Sequence, residues 1–150
     1  MSQALYNVGG LRFWSQEEIM IRRQASERIV ATMKQSLRAI NPAWVFEQCE
    51  GPTLTPRSYI NQSYTTDDIF TLNATLGEED AAMRAETTAS SYEYAKFLLS
   101  NHLNKKRMPL CVWQEGKSYR REQADGASPS KLRFNEFWQL EFQCIYSHNT

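Results

Sequence analysis

The sequence has no excess of charge, few cysteines and no long apolar run, and each shortage closes off a class of function. Seventeen Lys and Arg balance seventeen Asp and Glu over 150 residues, giving zero formal net charge. A neutral chain does not capture nucleic acid or an anionic membrane through its overall field, which leaves only local basic surface for such a role. Cys49, Cys111 and Cys144 are odd in number, far apart and without a Cys-x-x-Cys pair. They read as free thiols of a reducing compartment, not as a disulfide frame or a zinc site. No stretch of about 18 apolar residues occurs, so no membrane-spanning helix is expected. The N-terminus lacks the basic-then-apolar run of a signal peptide. Both observations lead to the expectation of a cytoplasmic protein with no membrane partner. Asn61-Gln62-Ser63 and Asn73-Ala74-Thr75 match the glycosylation pattern, and without secretion they read as chance matches. His102 and His148 lack metal-ligand spacing, so no metal site is expected among the side chains.

The length suits one domain, residues 1–150. A chain of this size buries roughly 68–70% of its unfolded surface and needs no covalent staples. Ser15 and Glu18 have the spacing of a capping box, in which hydroxyl and carboxylate satisfy the exposed amides of a helix start. Ile29, Met33, Leu37 and Ile40 then recur at helical spacing until Asn41-Pro42 stops the run, predicting a helix of roughly six turns. Its apolar stripe is expected to pack into the core. Trp44 to Glu50 reads as a strand closed by Gly51-Pro52. Residues 53–73 read as a long loop with one strand near Ile69–Leu72, followed by an acidic turn over residues 76–80. Thr87 to about Asn101 reads as a helix with Tyr92, Ala95 and Leu99 on one face, capped by Thr88 or Ser90.

The last third has a different period. Leu110 to Gln114 reads as a strand turned by Glu115-Gly116, and Lys117 to Glu122 as another. Gln123 to Lys131 is a loop by composition. From Phe137 the period is two. Trp138, Leu140, Phe142, Cys144 and Tyr146 share one face, expected to be a core wall. Phe137, Gln139, Glu141 and Gln143 share the other. In an antiparallel hairpin, Arg120 and Glu122 join that second face. An arginine fork binds phosphate, an aromatic ring stacks on a base, and carboxylates hold an ammonium group. Such a group can read an adenine nucleotide and a small zwitterion. The plain alternative is a wet sheet face on which Arg–Glu pairs only stabilise the strands.

The string Gly116-Lys117-Ser118-Tyr119-Arg120-Arg121-Glu122, a loop, and Leu132-Arg133-Phe134-Asn135-Glu136-Phe137-Trp138-Gln139-Leu140-Glu141 resembles the second signature motif of class II aminoacyl-tRNA synthetases. Within that class the glycyl-tRNA synthetases are most similar, in the stretches from Gln114 to Glu122 and from Asn135 to Glu141. Arg84-Ala85-Glu86-Thr87-Thr88-Ala89 is similar to a string of the glycyl and histidyl enzymes whose Glu helps bind the amino group of the amino acid. Gly51-Pro52, after a helix and an aromatic strand, resembles the first motif, which builds the dimer interface.

The resemblance implies an α+β fold, an antiparallel β-sheet flanked by helices. It implies that Arg120 binds the ATP α-phosphate and stabilises charge there as the catalytic residue. Glu122 lies near the adenine amine or the tRNA acceptor end, and Phe137 stacks on adenine. Glu86 and Glu141 face the amino acid, with Arg84, Gln114 and Gln139 beside them. Pro52 marks a dimer interface. ATP is the implied cofactor, accompanied by Mg²⁺ with no protein ligands identified. The tRNA acceptor end and either a second copy or a complementing chain are the implied partners.

The departures are as informative. The third motif, a Gly-rich segment ending in an arginine, has no counterpart in the sequence, nor do the acids that hold magnesium just before it. Ala85 replaces a usual proline, Asn135 a usual basic residue, and Gln143 a second acid. The expectation is therefore a reduced class II synthetase-like protein that needs another segment or chain for full adenylate formation and tRNA charging. The competing reading is a non-catalytic synthetase-like module for RNA binding or assembly, with local basic surface near Lys105, Lys106, Arg107 and Lys131. An ammonia-using amide ligase on the same core is a third.

Overall fold

A computed structural model describes residues 6–8, 11–100, 107–121 and 133–148. The chain folds as two compact units, Met1–Pro42 and Ala43–Thr150.

The first unit is a two-stranded antiparallel ribbon and one long helix. Strands β1 (Tyr6–Val8) and β2 (Leu11–Phe13) pair with Tyr6 opposite Phe13. Helix α1 spans Gln16–Ile40. Its start is the expected capping box: the Ser15 hydroxyl accepts from the Glu18 N–H at 3.2 Å, and Glu18 Oε2 accepts from the Ser15 N–H at 2.8 Å. Arg12 adds an ion pair to Glu18 at 2.9 Å. The helix ends where Asn41, in extended backbone, donates its N–H to the Leu37 carbonyl. The apolar stripe departs from expectation. Val30 is the buried residue of α1, whereas Ile29 and Ile40 are exposed, Ile40 to 80%. A lone helix beside a short ribbon has too little facing surface within its unit to cover such a stripe.

The second unit holds two three-stranded sheets and one helix. Strand β3 (Val45–Gln48) runs parallel to β7 (Leu110–Tyr119), and β7 pairs antiparallel with β8 (Glu136–Ile145), in the order β3-β7-β8. The other sheet is antiparallel, in the order β4-β6-β5, from β4 (Leu54–Pro56), β5 (Thr71–Leu76) and β6 (Glu79–Met83). Gly77, at φ 64°, makes the tight turn between β5 and β6, a conformation open to glycine at little cost. The acidic stretch expected as a turn thus contributes Glu79 and Asp80 to a strand. The architecture is α+β with helices and antiparallel strand pairs as expected, the β3–β7 pair alone running parallel among the described residues.

Helix α2 (Thr88–Ser100) packs on the β3-β7-β8 sheet, and Ala95 and Leu98 meet Leu110 and Val112 in the main core. Its buried face is Ser91, Ala95 and Leu98; Tyr92, expected to share a face with Ala95 and Leu99, is exposed. The face of β7 and β8 that α2 covers is the polar one, so Gln114 and Ser118 are fully buried. The opposite face, expected as the core wall, is half-buried at Trp138, Leu140 and Phe142 and open at Cys144 and Tyr146.

The turn expected at Glu115-Gly116 is absent. Strand β7 runs straight through it, because β8 pairs residue for residue from Ile145 opposite Leu110 to Glu136 opposite Tyr119. Gly116 has a different task. A Cβ there would lie 2.2 Å from the Arg84 Nη2 atom, so the glycine makes room for a buried guanidinium.

Candidate functional site

The register of β7 against β8 aligns Gln114 with Glu141, Gly116 with Gln139 and Ser118 with Phe137. Side chains opposite one another point to the same face, so Phe137, Gln139 and Glu141 share one surface. Arg120 lies just past the end of β7, held by its N–H to the Asn135 carbonyl at 2.9 Å. Its guanidinium carbon stands 5.2 Å from the centre of the Phe137 ring, and Nε donates to the Ala85 carbonyl at 3.1 Å.

The Tyr64 ring also approaches that guanidinium, with its centre 5.3 Å from the same carbon. Arg120 is therefore in contact with two aromatic rings, each attracting the cation through its π face. The Tyr64 hydroxyl donates to Glu86 Oε2 at 3.2 Å. Burial, and then the negative charge of Glu86, pushes the Tyr64 phenol above its ordinary range. One chain of contacts thus links Phe137, Arg120, Tyr64 and Glu86.

Glu141 is tied more heavily. The Thr87 hydroxyl donates to one carboxylate oxygen at 2.6 Å. The Thr88 hydroxyl and the Gln143 amide donate to the other. Beside it, Ser118 donates to Gln139 Oε1 at 2.7 Å.

Two residues expected near the amino acid are enclosed within the fold. Gln114 accepts the Gly51 N–H at 3.1 Å, while its amide nitrogen lies 2.7–2.9 Å from the Thr87 carbonyl and the Ser90 and Ser91 hydroxyls. It pins the β3–β4 connection and the start of α2 to the sheet. Arg84 donates from Nε to the Lys117 carbonyl at 2.7 Å and from Nη1 to the Gly51 carbonyl at 2.8 Å. Burial lowers its hold on its proton. Gly51 sits so close to α2 that a Cβ would meet the Ser90 hydroxyl at 2.3 Å. These contacts explain physically why Gly51, Arg84, Gln114 and Gly116 go together. Pro52, beside Gly51, is exposed.

Glu122, the loop Gln123–Lys131, and Lys105 and Lys106 lie outside the described residues. Arg107 pairs with Glu47 at 2.9 Å. Among the described residues no group of three His, Cys, Asp or Glu could hold a metal ion, and no helix is long and apolar enough to cross a membrane.

Sequence reasoning missed Tyr64, Thr87 and Thr88 as members of the group. The two threonines stand in the string that carries Glu86, and their spacing of one residue lets both hydroxyls reach a single carboxylate. Tyr64 lies in a stretch of Asn, Ser and Thr with no periodic pattern to mark it.

Solved structures that share this architecture include aminoacyl-tRNA synthetases. Prolyl-tRNA synthetase from Cryptosporidium parvum, complexed with halofuginone and AMPPNP, aligns with a TM-score of 0.64 at 16% identity, over 95% of this chain and 27% of that one. The same enzyme with L-proline and AMP aligns at 0.61 and 16%, over 95% and 26%. An ATP phosphoribosyltransferase regulatory subunit/histidyl-tRNA synthetase from Bacillus halodurans C aligns at 0.50 and 18%, over 89% and 30%. The chain thus spans 26–30% of the length of these relatives, and at such identities the likeness is one of fold. No family model matches the sequence, and no curated protein matches it.

Proposed function

We propose that this chain binds ATP and a small amino acid as the adenylate-forming part of a class II aminoacyl-tRNA synthetase-like protein. The observation that carries the reading is the position of the Arg120 guanidinium against Phe137 and, through Tyr64, beside Glu86. A cation for phosphate, a ring for a base and a carboxylate for an ammonium group stand within one cluster.

The reaction needs no side-chain nucleophile. The amino-acid carboxylate attacks the α-phosphorus, a mixed anhydride forms, and pyrophosphate leaves. Positioning and electrostatics do the work. Arg120 neutralises charge that builds on the α-phosphate. Phe137 stacks on adenine, and Glu122 is assigned to the adenine amine or the tRNA acceptor end. Glu86, Gln139 and Glu141 receive the amino acid, with Arg84 and Gln114 holding the backbone beneath them. Mg²⁺ accompanies ATP through the phosphates. Glycine is the amino acid favoured by the motif strings. Pairing of two copies around Pro52 and a complementing Gly-rich chain belong to the same reading.

The bonding of Glu141 favours a second reading. Three protein donors already satisfy this carboxylate, as suits a non-catalytic synthetase-like module used for RNA binding or assembly. Amino-acid-dependent exchange of pyrophosphate into ATP, tried with each amino acid, separates the two. Exchange with glycine supports the first reading. Calorimetry showing no binding of ATP or of a non-hydrolysable adenylate mimic rejects it.

A further inference from the structure

Strand β7 places Cys111 directly opposite Cys144 of β8, and the Cys144 thiol touches the Cys111 sulfur at 3.9 Å. We propose that this pair is a modification site, a reversible disulfide that forms when the chain meets a low-molecular-weight disulfide such as oxidised glutathione. Such a bond opens and closes with the thiol balance around the chain, unlike a permanent frame. The backbone already meets the geometric demand. Opposed residues of an antiparallel pair have Cα atoms about 4.5–5.5 Å apart, inside the span of about 4.4–6.8 Å that disulfides bridge. Two ring contacts bracket the pair along the strands. Trp113 and Phe142 stack with ring centres 6.2 Å apart, and Trp44 meets Tyr146 edge-on at 6.5 Å. They hold the strands in the register that keeps the two sulfurs together.

Exposure divides the roles of the two thiols. Cys144 is exposed, whereas Cys111 is fully buried in the central strand, between Phe46 of β3 and Cys144. The Cys144 thiolate therefore meets the small disulfide first. It attacks one sulfur, a mixed disulfide forms, and the other sulfur leaves as a thiolate. Cys111 gives up its proton, attacks the Cys144 sulfur and expels the second thiolate. The two expelled thiolates take up the two protons that the cysteines lost. Two protein thiols are thus oxidised to one disulfide, and the small disulfide is reduced to two thiols. Cys49 stands apart from this exchange. It packs against the core that Ala95 and Leu98 make with Leu110 and Val112, on the face of β7 opposite to Cys111. Burial pushes the Cys49 thiol up, which leaves it less thiolate to react. The new bond joins β7 to β8 at the end remote from Arg120 and encloses residues 112–143 in one covalent loop.

The test treats the reduced full chain with oxidised glutathione, alkylates the remaining thiols under denaturing conditions and maps the peptides by mass spectrometry. A Cys111–Cys144 cross-link within one chain is expected, with Cys49 alkylated, and excess reduced glutathione should reopen it. Cys49→Ser should give the same cross-link. Cys111→Ala should instead hold glutathione on Cys144, at least about tenfold more of it than the parent holds. A parent that keeps glutathione on Cys144 as the Cys111→Ala variant does overturns the proposal. So does a bond that joins two chains or involves Cys49, and so does a Cys144 that does not react. Should Cys111→Ala fail to fold, the parent and Cys49→Ser decide the matter by themselves. None of these readouts involves ATP, so failure of ATP binding rejects the adenylate reading and leaves this one standing.

Discussion

The guanidinium carbon of Arg120 stands 5.2 Å from the centre of the Phe137 ring, although the two residues are 17 positions apart in the sequence. In the proposed reading the contact joins a phosphate-binding group to a base-stacking group, so their substitutions are expected to have separable signatures. Phe137→Ala is expected to weaken ATP by about 1–3 kcal/mol, the loss of one stacked base. The same variant should weaken adenosine by a similar amount. Arg120→Ala is expected to weaken ATP by about 1.5–3 kcal/mol, for a hydrogen bond to a charged group, and to leave adenosine nearly unaffected. Calorimetry of both variants with both ligands checks the pattern, and an unchanged adenosine affinity in Phe137→Ala would count against stacking.

Tyr64 offers a pH signature. Its phenol is raised above the ordinary value of 10.0, by burial first and by the Glu86 charge second. A raised folded-state value means that the native protein resists losing this proton. The associated stability is complete below the ordinary tyrosine value and is lost as pH climbs through the raised one. Tyr64→Phe keeps the ring against Arg120 and removes the titrating group. Urea unfolding across the alkaline range should therefore show a shallower loss of stability in Tyr64→Phe than in the parent. At neutral pH the variant should lose only about 0.5–1.5 kcal/mol, the net worth of one hydrogen bond.

Gly116 and Arg84 make a packing prediction. The methyl of Gly116→Ala would lie 2.2 Å from Arg84 Nη2. A guanidinium tip normally swings aside, but this one is pinned by the Lys117 and Gly51 carbonyls. Gly116→Ala is expected to destabilise by about 1–3 kcal/mol, as overpacking does. In the background of Arg84→Met, which removes both bonds and the tip, the added methyl should cost clearly less. A double-mutant cycle by denaturant unfolding measures the coupling.

The same pair shows what could be read from sequence. The long helix, its capping box, the aromatic strand and the period-two strand were legible, because spacing and cap chemistry are local signals. The sharing of one face by Arg120 and Phe137 was legible too, since alternation in a hairpin fixes it. The straight path of β7 through Gly116 was not. A glycine beside a glutamate has the local composition of a turn, and only the distant Arg84 explains why a side chain is excluded. Gln114 has the same difficulty. Its polarity suggests an open site, yet its partners at Gly51, Thr87, Ser90 and Ser91 are far away in sequence. Tyr64 became visible only once three separate segments came together. The stripe of α1 was read correctly as amphipathic and wrongly as core, because periodicity does not say what covers a helix.

Helix α1 provides the last test. Glu18 is held below its ordinary value of 4.5, chiefly by the hydrogen bond from the Ser15 backbone and further by Arg12. A lowered folded-state value means that the contribution of the carboxylate is present above 4.5 and disappears as pH falls through the lowered value. Acid should thus loosen the first turn of α1. Amide hydrogen exchange across that turn should accelerate as pH falls below 4.5 and through the lowered value, beyond its intrinsic pH dependence, as the carboxylate protonates. Ser15→Ala removes the other half of the box and should cost about 0.5–2 kcal/mol of helix stability. In that variant the Glu18 carboxylate still accepts from the backbone at residue 15, so the acid step should persist. In Glu18→Gln the amide oxygen can take over the backbone bond without titrating. The acid step should then vanish while the helix stays capped at neutral pH, and an acid step that survives in Glu18→Gln would assign it to another carboxylate.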